Sequence, residues 1–243
     1  MKKFIYKKIY NFLSQYVVDS TSITYSMPSV IFPEPQKKTS ALIDNIAINS
    51  IKIALSNKII NINNNHADSH LYNIYPGEHY RLLKAITEYM NPKVIVEIGT
   101  FTGMGVYSMI QGLNKGKIYT YDIVEWNKFE THLEKIYFEN GSVTQIIADL
   151  SNKNDFILNK DILNSAEMIF LDAPKNVVFE KNFLKFLTEL NPVEKRILVI
   201  DDIKFMNMID LWVNIKSPKV DVTSFGHWTG TGLVDISDGI KFW

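Results

Sequence analysis

Cysteine is missing from this chain, which excludes disulfide bridges, Cys-ligated zinc and thiol catalysis. Net charge is missing too: 26 Lys and Arg balance 26 Asp and Glu. No overall field therefore draws the chain to nucleic acid or an acidic surface. No apolar run approaches the ~18 residues of a membrane span, and no internal repeat is present. Prolines are few, and three of the eight crowd into PSVIFPEPQ (28–36), which reads as a linker rather than regular structure. The start, MKKFIYKKIYNFLSQYVV, has a basic head but no clear small-residue cleavage site. A signal peptide is not expected there, and a cytoplasmic setting is. What is present, 243 residues of which 46% are hydrophobic, suits one α/β domain with extensions.

Within residues 4–16, Phe4, Ile5, Ile9, Phe12, Leu13 and Tyr16 recur at helical spacing beside lysines. This is an amphipathic helix that packs on the body or on a dimer mate; membrane-surface contact is the less favoured reading. A second helix is expected over 39–57, and NINNNHADSH (61–70) as a polar loop. From residue 76 the rhythm changes. PGEHYRLLKAITEYM predicts an amphipathic helix and KVIVEIG a buried strand, followed by a helix over 104–113. The strand KIYTYDI, a helix over 126–139, the strand VTQIIAD and a helix over 153–163 come next. EMIFLDA, a helix over 177–190, RILVIDD and a helix over 203–215 complete the alternation. Such alternation implies a parallel sheet covered on both faces. KVDVTSFG and GTGLVDIS, joined by HWT, read as an antiparallel hairpin at the sheet edge.

Ligands of open α/β sheets bind beyond the carboxyl ends of the strands, so each strand end matters. The first ends in Glu97-Ile98-Gly99 and continues G-x-x-x-G-x-G. That spacing differs from the G-x-G-x-x-G dinucleotide fingerprint. Gly99 permits a sharp turn, Gly103 permits a ligand to lie on the backbone, and Gly105 eases the helix against the sheet. The second strand ends in Asp122, which can accept both hydroxyls of a ribose or cap the following segment. The third ends in Asp149, which can meet an adenine amino group or cap a helix. The three features together, at consecutive strand ends, favour a nucleoside.

On these residues the chain resembles the class I S-adenosylmethionine-dependent methyltransferases over roughly residues 76–236. The resemblance implies that Glu97, Gly99 and Gly103 line the methionine part of the cofactor, with Thr100 beside them. It implies Asp122 and Ile123 at the ribose, and Asp149 and Leu150 by the adenine.

The next strand ends carry Asp172 and Lys175, in FLDAPK, and Asp201 and Asp202, in LVIDD. Three carboxylates at neighbouring strand ends repel unless a cation lies among them, and hard oxygen ligands favour Mg²⁺, with Mn²⁺ or Ca²⁺ also suitable. Helix capping is the plainer reading of each acid alone. The set is similar to the metal-dependent O-methyltransferases. Asp172 followed three residues later by Lys175 resembles the catechol type, whereas the doubled acid Asp201-Asp202 resembles the sugar O-methyltransferases of antibiotic pathways. Lys175 is a candidate base if a cation and burial lower its pKa, or else a partner for the aspartates. His227 and Trp228, in the hairpin turn, can meet the acceptor or simply close the turn. Glu78 and His79 stand at the entrance of the helix before the first strand, where they either approach the cofactor or cap that helix.

The expected fold is α/β: a Rossmann-like, seven-stranded, mostly parallel sheet with helices on both faces and a C-terminal antiparallel hairpin. A helical extension (1–75) precedes a methyltransferase domain (76–243). The expected function is divalent-cation-dependent O-methylation of a small hydroxylated molecule, a sugar-like diol or a catechol. Asp172 (also against the cofactor), Lys175 and His227 would act in catalysis, and Asp172, Asp201 and Asp202 would hold the metal. A homo-oligomer without nucleic-acid partners is expected. The competing readings are a nicotinamide oxidoreductase, disfavoured by the glycine spacing and the terminal hairpin, a metal-dependent oxygenase on the same fold and a non-catalytic scaffold.

Overall fold

Seven strands form one sheet in the order β3-β2-β1-β4-β5-β7-β6. They are β1 (Val94–Ile98), β2 (Lys117–Asp122), β3 (Val143–Ile147), β4 (Met168–Leu171), β5 (Ile197–Asp201), β6 (Lys219–Asp221) and β7 (Thr231–Asp235). The computed structural model describes residues 39–242; the expected helix over 4–16 and the linker over 28–36 lie outside them. β1 to β5 pair in parallel, and β7 runs antiparallel to both β5 and β6. β1, β4 and β5 are almost wholly buried. This is why they read as largely apolar runs, broken only by Glu97 in β1 and ended by Asp201 in β5, rather than alternating ones.

Helices cover both faces, and two apolar clusters lie between them and the sheet, one around Phe156, Phe183 and Leu198 and the other around Leu83, Ile95 and Phe170. Helix α1 (Ala41–Ser56) is capped by Ser40, whose Oγ accepts from Ile43 N–H. The same hydroxyl donates to Asp235 Oδ2, tying the helix to β7. Helix α2 (Tyr80–Met90) buries Leu82, Leu83, Ile86 and Met90 at helical spacing and ends at Asn91 in the left-handed region (φ 47°). The Arg81 guanidinium closes the last turn of α1 by donating to the carbonyls of Leu55 and Asn57.

Helix α3 (Met104–Gly112) follows β1 as expected, but five other segments differ from the sequence reading. The helix expected over 126–139 is a 3₁₀ turn (Trp126–Lys128) and a short helix α4 (Lys135–Glu139). Between them the chain turns inward, His132 N–H bonding Thr102 O at 2.9 Å and Leu133 becoming buried. The helix over 153–163 is broken at Asn159 into α5 (Lys153–Leu158) and α6 (Lys160–Ser165). Helix α7 (Val178–Leu187) is shorter than expected, and α8 (Met208–Asn214) starts late because Asp202 and Met206 take positive φ values. The hairpin is present, but β6 has three residues, Thr223–Phe225 forms a 3₁₀ turn, and the second strand inserts between β5 and the first. No helix among the described residues is long and apolar enough to cross a membrane.

Chain order reverses between β1 and β4. In an open sheet the crevice for a ligand opens at that point.

Candidate active site

The turn after β1 is packed from both sides. Gly99 has φ +102°, and a Cβ there would lie 2.1 Å from the Asp172 carbonyl oxygen, so no larger residue fits. Gly103 opens α3 in the left-handed region, but a Cβ there would meet Leu133 at 2.3 Å. The expected room for a ligand above Gly103 is filled by that leucine, carried in by the inward turn after the Trp126–Lys128 segment. Glu97 is 1% exposed and does not line the cavity; it accepts a hydrogen bond from Thr120 Oγ1 at 2.5 Å. Burial pushes its carboxyl well above the usual range, despite that bond. Thr100 is likewise buried, with its hydroxyl 2.7 Å from that of Thr120, and Leu150 is fully buried.

Beyond the strand ends lies a cavity of about 570 Å³, in the range of small-molecule and cofactor sites. Gly99, Asp122, Ile123, Asp149, Asp172 and Lys175 line it, together with Phe101 and Phe179. Asp122 is held by two backbone donors, Phe101 N–H at 2.9 Å and Val124 N–H at 3.1 Å. Asp149 accepts from Ser151 N–H and Oγ at 2.9 and 2.7 Å. Neither acid caps a helix: the Trp126–Lys128 turn has no side-chain cap, and the helix after Asp149 is capped by Asn152. Both acids bond loop groups while lining the cavity. Ile123, 71% exposed, offers a flat apolar contact beside Asp122. Phe101 and Phe179 went unread in the sequence because Phe101 is an unspecified position of G-x-x-x-G and Phe179 stands in the first turn of α7, where an apolar residue reads as core.

Next to the cavity, Lys175 Nζ lies among the three predicted metal ligands: it bonds Asp172 Oδ1 and stands 3.6 Å from Asp201 Oδ2 and 3.1 Å from Asp202 Oδ2. Burial alone would lower its pKa, but the three carboxylates outweigh burial and hold the ammonium above the usual lysine range. This is opposite in direction to what a lysine base requires. Burial and the charge on Asp201 push Asp172 up. Burial also opposes ionisation of Asp201, yet His79, His227 and Lys175 hold it well below the usual carboxylate range.

Asp201 Oδ1 faces the other way. It lies 3.3 Å from His79 Nδ1 and 3.2 Å from His227 Nδ1. His227 also stands 3.1 Å from Asp202 Oδ1 and, through Nε2, 3.4 Å from Glu78 Oε2. Thr229, a residue with no signal in the sequence, bonds both Asp202 and His227. Burial works against a charged imidazole, but Asp201 and Asp202 lift His227 to about 10. Burial raises Glu78 above its ordinary value, against the pull of His227. The backbone here is strained: Lys175, Val177 and Asp202 have φ of 58°, 67° and 59°. Such values cost of order 1–3 kcal/mol each and collect at functional sites.

The cavity combines carboxylates with apolar walls suited to a nucleoside. Lys175 Nζ stands among the three acids expected to hold a metal, whereas Asp201 Oδ1 and both ring nitrogens of His79 are buried without hydrogen-bond partners and are the atoms that suit a cation.

A pH dependence follows. The folded pKa of His227, about 10, lies above its ordinary 6.5, so its charged form stabilises the fold fully below 6.5 and that contribution is lost as pH rises through 10. With chelator present, denaturant unfolding should show stability falling over this window, and His227→Gln should flatten the slope. An equal slope in both proteins would remove His227 as the cause.

The O-methyltransferase family model matches residues 56–216. No curated protein sequence matches. Among solved structures, a putative caffeoyl-CoA O-methyltransferase from Staphylococcus aureus is 18% identical, covering 67% of this chain and 82% of that one with a TM-score of 0.45. The MycE methyltransferase from the mycinamycin biosynthetic pathway, in complex with Mg and SAH, is 15% identical over 46% of this chain, with a TM-score of 0.37. That match spans only 28% of the MycE chain. The SAH-bound methyltransferase PaMTH1 of Podospora anserina is 12% identical over 82% of this chain and 88% of its own, with a TM-score of 0.43. With the family model spanning about two thirds of its length and the site at the expected strand ends, the chain belongs to the O-methyltransferase family, within the class I S-adenosylmethionine-dependent enzymes.

Proposed function

We propose that the protein transfers the methyl group of S-adenosylmethionine to a hydroxyl of a small molecule, a sugar-like diol or a catechol, with the help of a divalent cation. One observation carries the reading: a nucleoside-sized cavity ends at Asp172, and Asp172 shares Lys175 with Asp201 and Asp202. The donor and acceptor regions therefore meet at one side chain.

Asp122 accepts the ribose hydroxyls, Ile123 and Phe179 wall the base, and Gly99 lets the methionine end lie on the backbone. Asp201, flanked by Asp172 and Asp202, would hold the cation. Bound to an acceptor hydroxyl, the cation would supply Lewis acidity that lowers the hydroxyl pKa. Lys175 Nζ and His227 are the groups placed to take the proton. The carboxylates keep both protonated, and neutralising the carboxylate charge frees either to act as base. Trp228 and Met206, 72% and 71% exposed on the adjoining loops, offer an apolar rim for the acceptor. Charge balance gives no footing for a nucleic-acid partner.

Calorimetry should detect S-adenosylhomocysteine but not NAD; the reverse would sink the reading. Asp122→Asn should weaken that binding about 10–100-fold, since charge-assisted hydrogen bonds contribute about 1.5–3 kcal/mol. Turnover on a panel of sugars and catechols should require added metal and stop with chelator. Turnover that persists in chelator would leave methyl transfer standing and remove the cation.

A further inference from the structure

We propose that His79, Asp201 and His227 form a metal site of mixed nitrogen and oxygen donors that takes a transition ion of the Mn²⁺ to Zn²⁺ series in preference to Mg²⁺. The inference deepens the function proposed above: it names the class of cation, adds two histidines to Asp201 as ligands, and leaves Lys175 as the base.

Four observations support it. First, one ligand atom from each residue lies within 4.8 Å of the others, and Asp201 Oδ1 is 3.3 and 3.2 Å from the two imidazole nitrogens. Ligands about 2.0–2.1 Å from one tetrahedral ion stand about 3.3 Å apart. Second, His79 is 3% exposed and neither of its ring nitrogens has a hydrogen-bond partner, nor does Asp201 Oδ1. Buried polar atoms are almost always satisfied, and an ion between these three atoms satisfies two of the three orphans at once. Third, the two oxygens of Asp201 serve different neighbours. Oδ2 faces the Lys175 ammonium, which already supplies positive charge to the Asp172 and Asp202 side. Oδ1 is the oxygen left for a metal. Fourth, His227 has a second carboxylate behind it, with Glu78 Oε2 3.4 Å from Nε2. A carboxylate on the far nitrogen orients a ligating imidazole and raises its basicity.

Donor chemistry then selects the ion. Imidazole suits Zn²⁺, Fe²⁺, Ni²⁺ and their neighbours, whereas Mg²⁺ takes oxygen ligands and keeps several waters. Three protein ligands leave a coordination position open for an acceptor oxygen.

The full-length protein, titrated with Co²⁺, should develop the visible d–d absorption of a four- or five-coordinate ion. Mn²⁺ bound to it should show ¹⁴N modulation in electron spin-echo spectra. His79→Gln and His227→Gln should each weaken Co²⁺ binding about tenfold or more and reduce the ¹⁴N signal, with circular dichroism reporting the fold, while Asp172→Asn keeps both signatures. Mn²⁺ bound without ¹⁴N modulation would overturn the proposal, a measurement that needs no variant. So would Co²⁺ affinity unchanged in both histidine variants, or equal competition by Mg²⁺. If the ¹⁴N signature is present and no hydroxyl is methylated, the site stands and the proposed reaction fails.

Discussion

Asp201→Asn is expected to lower kcat/KM for metal-dependent methyl transfer by about 10²–10³-fold, the loss typical of removing a preorganised electrostatic group from an active site. Asp201 is 3% exposed, and each of its oxygens serves a different neighbour: Lys175 on one side, His79 and His227 on the other. An amide of the same shape keeps the packing and removes the charge. It leaves Lys175 and two imidazoles without their shared counter-charge, and its NH₂ group cannot ligate a metal. Asp210→Asn, at an exposed position on α8, should leave the rate within about twofold, as surface changes usually do. Steady-state kinetics at saturating metal would decide. Similar losses in the two variants would return Asp201 to a purely structural role.

Gly99→Ala is expected to destabilise the fold by about 3 kcal/mol, from overpacking of about 1–3 kcal/mol and left-handed backbone strain that exceeds about 0.4–1 kcal/mol. The added methyl would lie 2.1 Å from a backbone oxygen of Asp172, which cannot swing aside as a side chain can. β1 and β4 would have to separate where the cavity opens. For a domain of this size the melting temperature should fall about 6–12 °C, and S-adenosylhomocysteine affinity should fall with it. Gly141→Ala is the control. Gly141 has φ +78° but nothing within 4 Å of a Cβ, so only the backbone term applies, and a shift of a few degrees is expected. Equal shifts at the two positions would show that the close approach at Gly99 is relieved without cost.

The strand-and-helix alternation was legible because buried parallel strands such as Met168–Leu171 and Ile197–Ile200 are unbroken apolar runs, each followed by an acid. The acids at successive strand ends could be gathered at one edge of the sheet for the same reason. The helix expected over 126–139 failed because its periodicity was real but Leu133 was used for another purpose, filling the space over Gly103. Local pattern cannot reveal that a tertiary contact takes a residue out of a helix. The position of Lys175 was also hidden. Its spacing from Asp172 was visible, but that Asp201 and Asp202 would surround the ammonium and raise its pKa depends on the β4–β5 pairing and the positive φ at Asp202. Likewise, His79 and His227 were each noticed singly. Their meeting at one oxygen of Asp201 joins the entrance of α2, the end of β5 and the loop before β7, which no spacing rule connects.

The antiparallel insertion of β7 beside β5 has a bearing on how acceptor choice could diverge. Asp201 pairs with Thr231 in the ladder, and Asp221 pairs with Gly232. The segment 222–230, with His227, Trp228 and Thr229, is therefore a loop whose two stems are pinned beside the carboxylate it serves. Its length and composition can vary while β1, β2 and β3, which carry the proposed cofactor half, keep their register. Grafting this one loop between relatives is the smallest exchange that should move acceptor preference without disturbing the methyl donor.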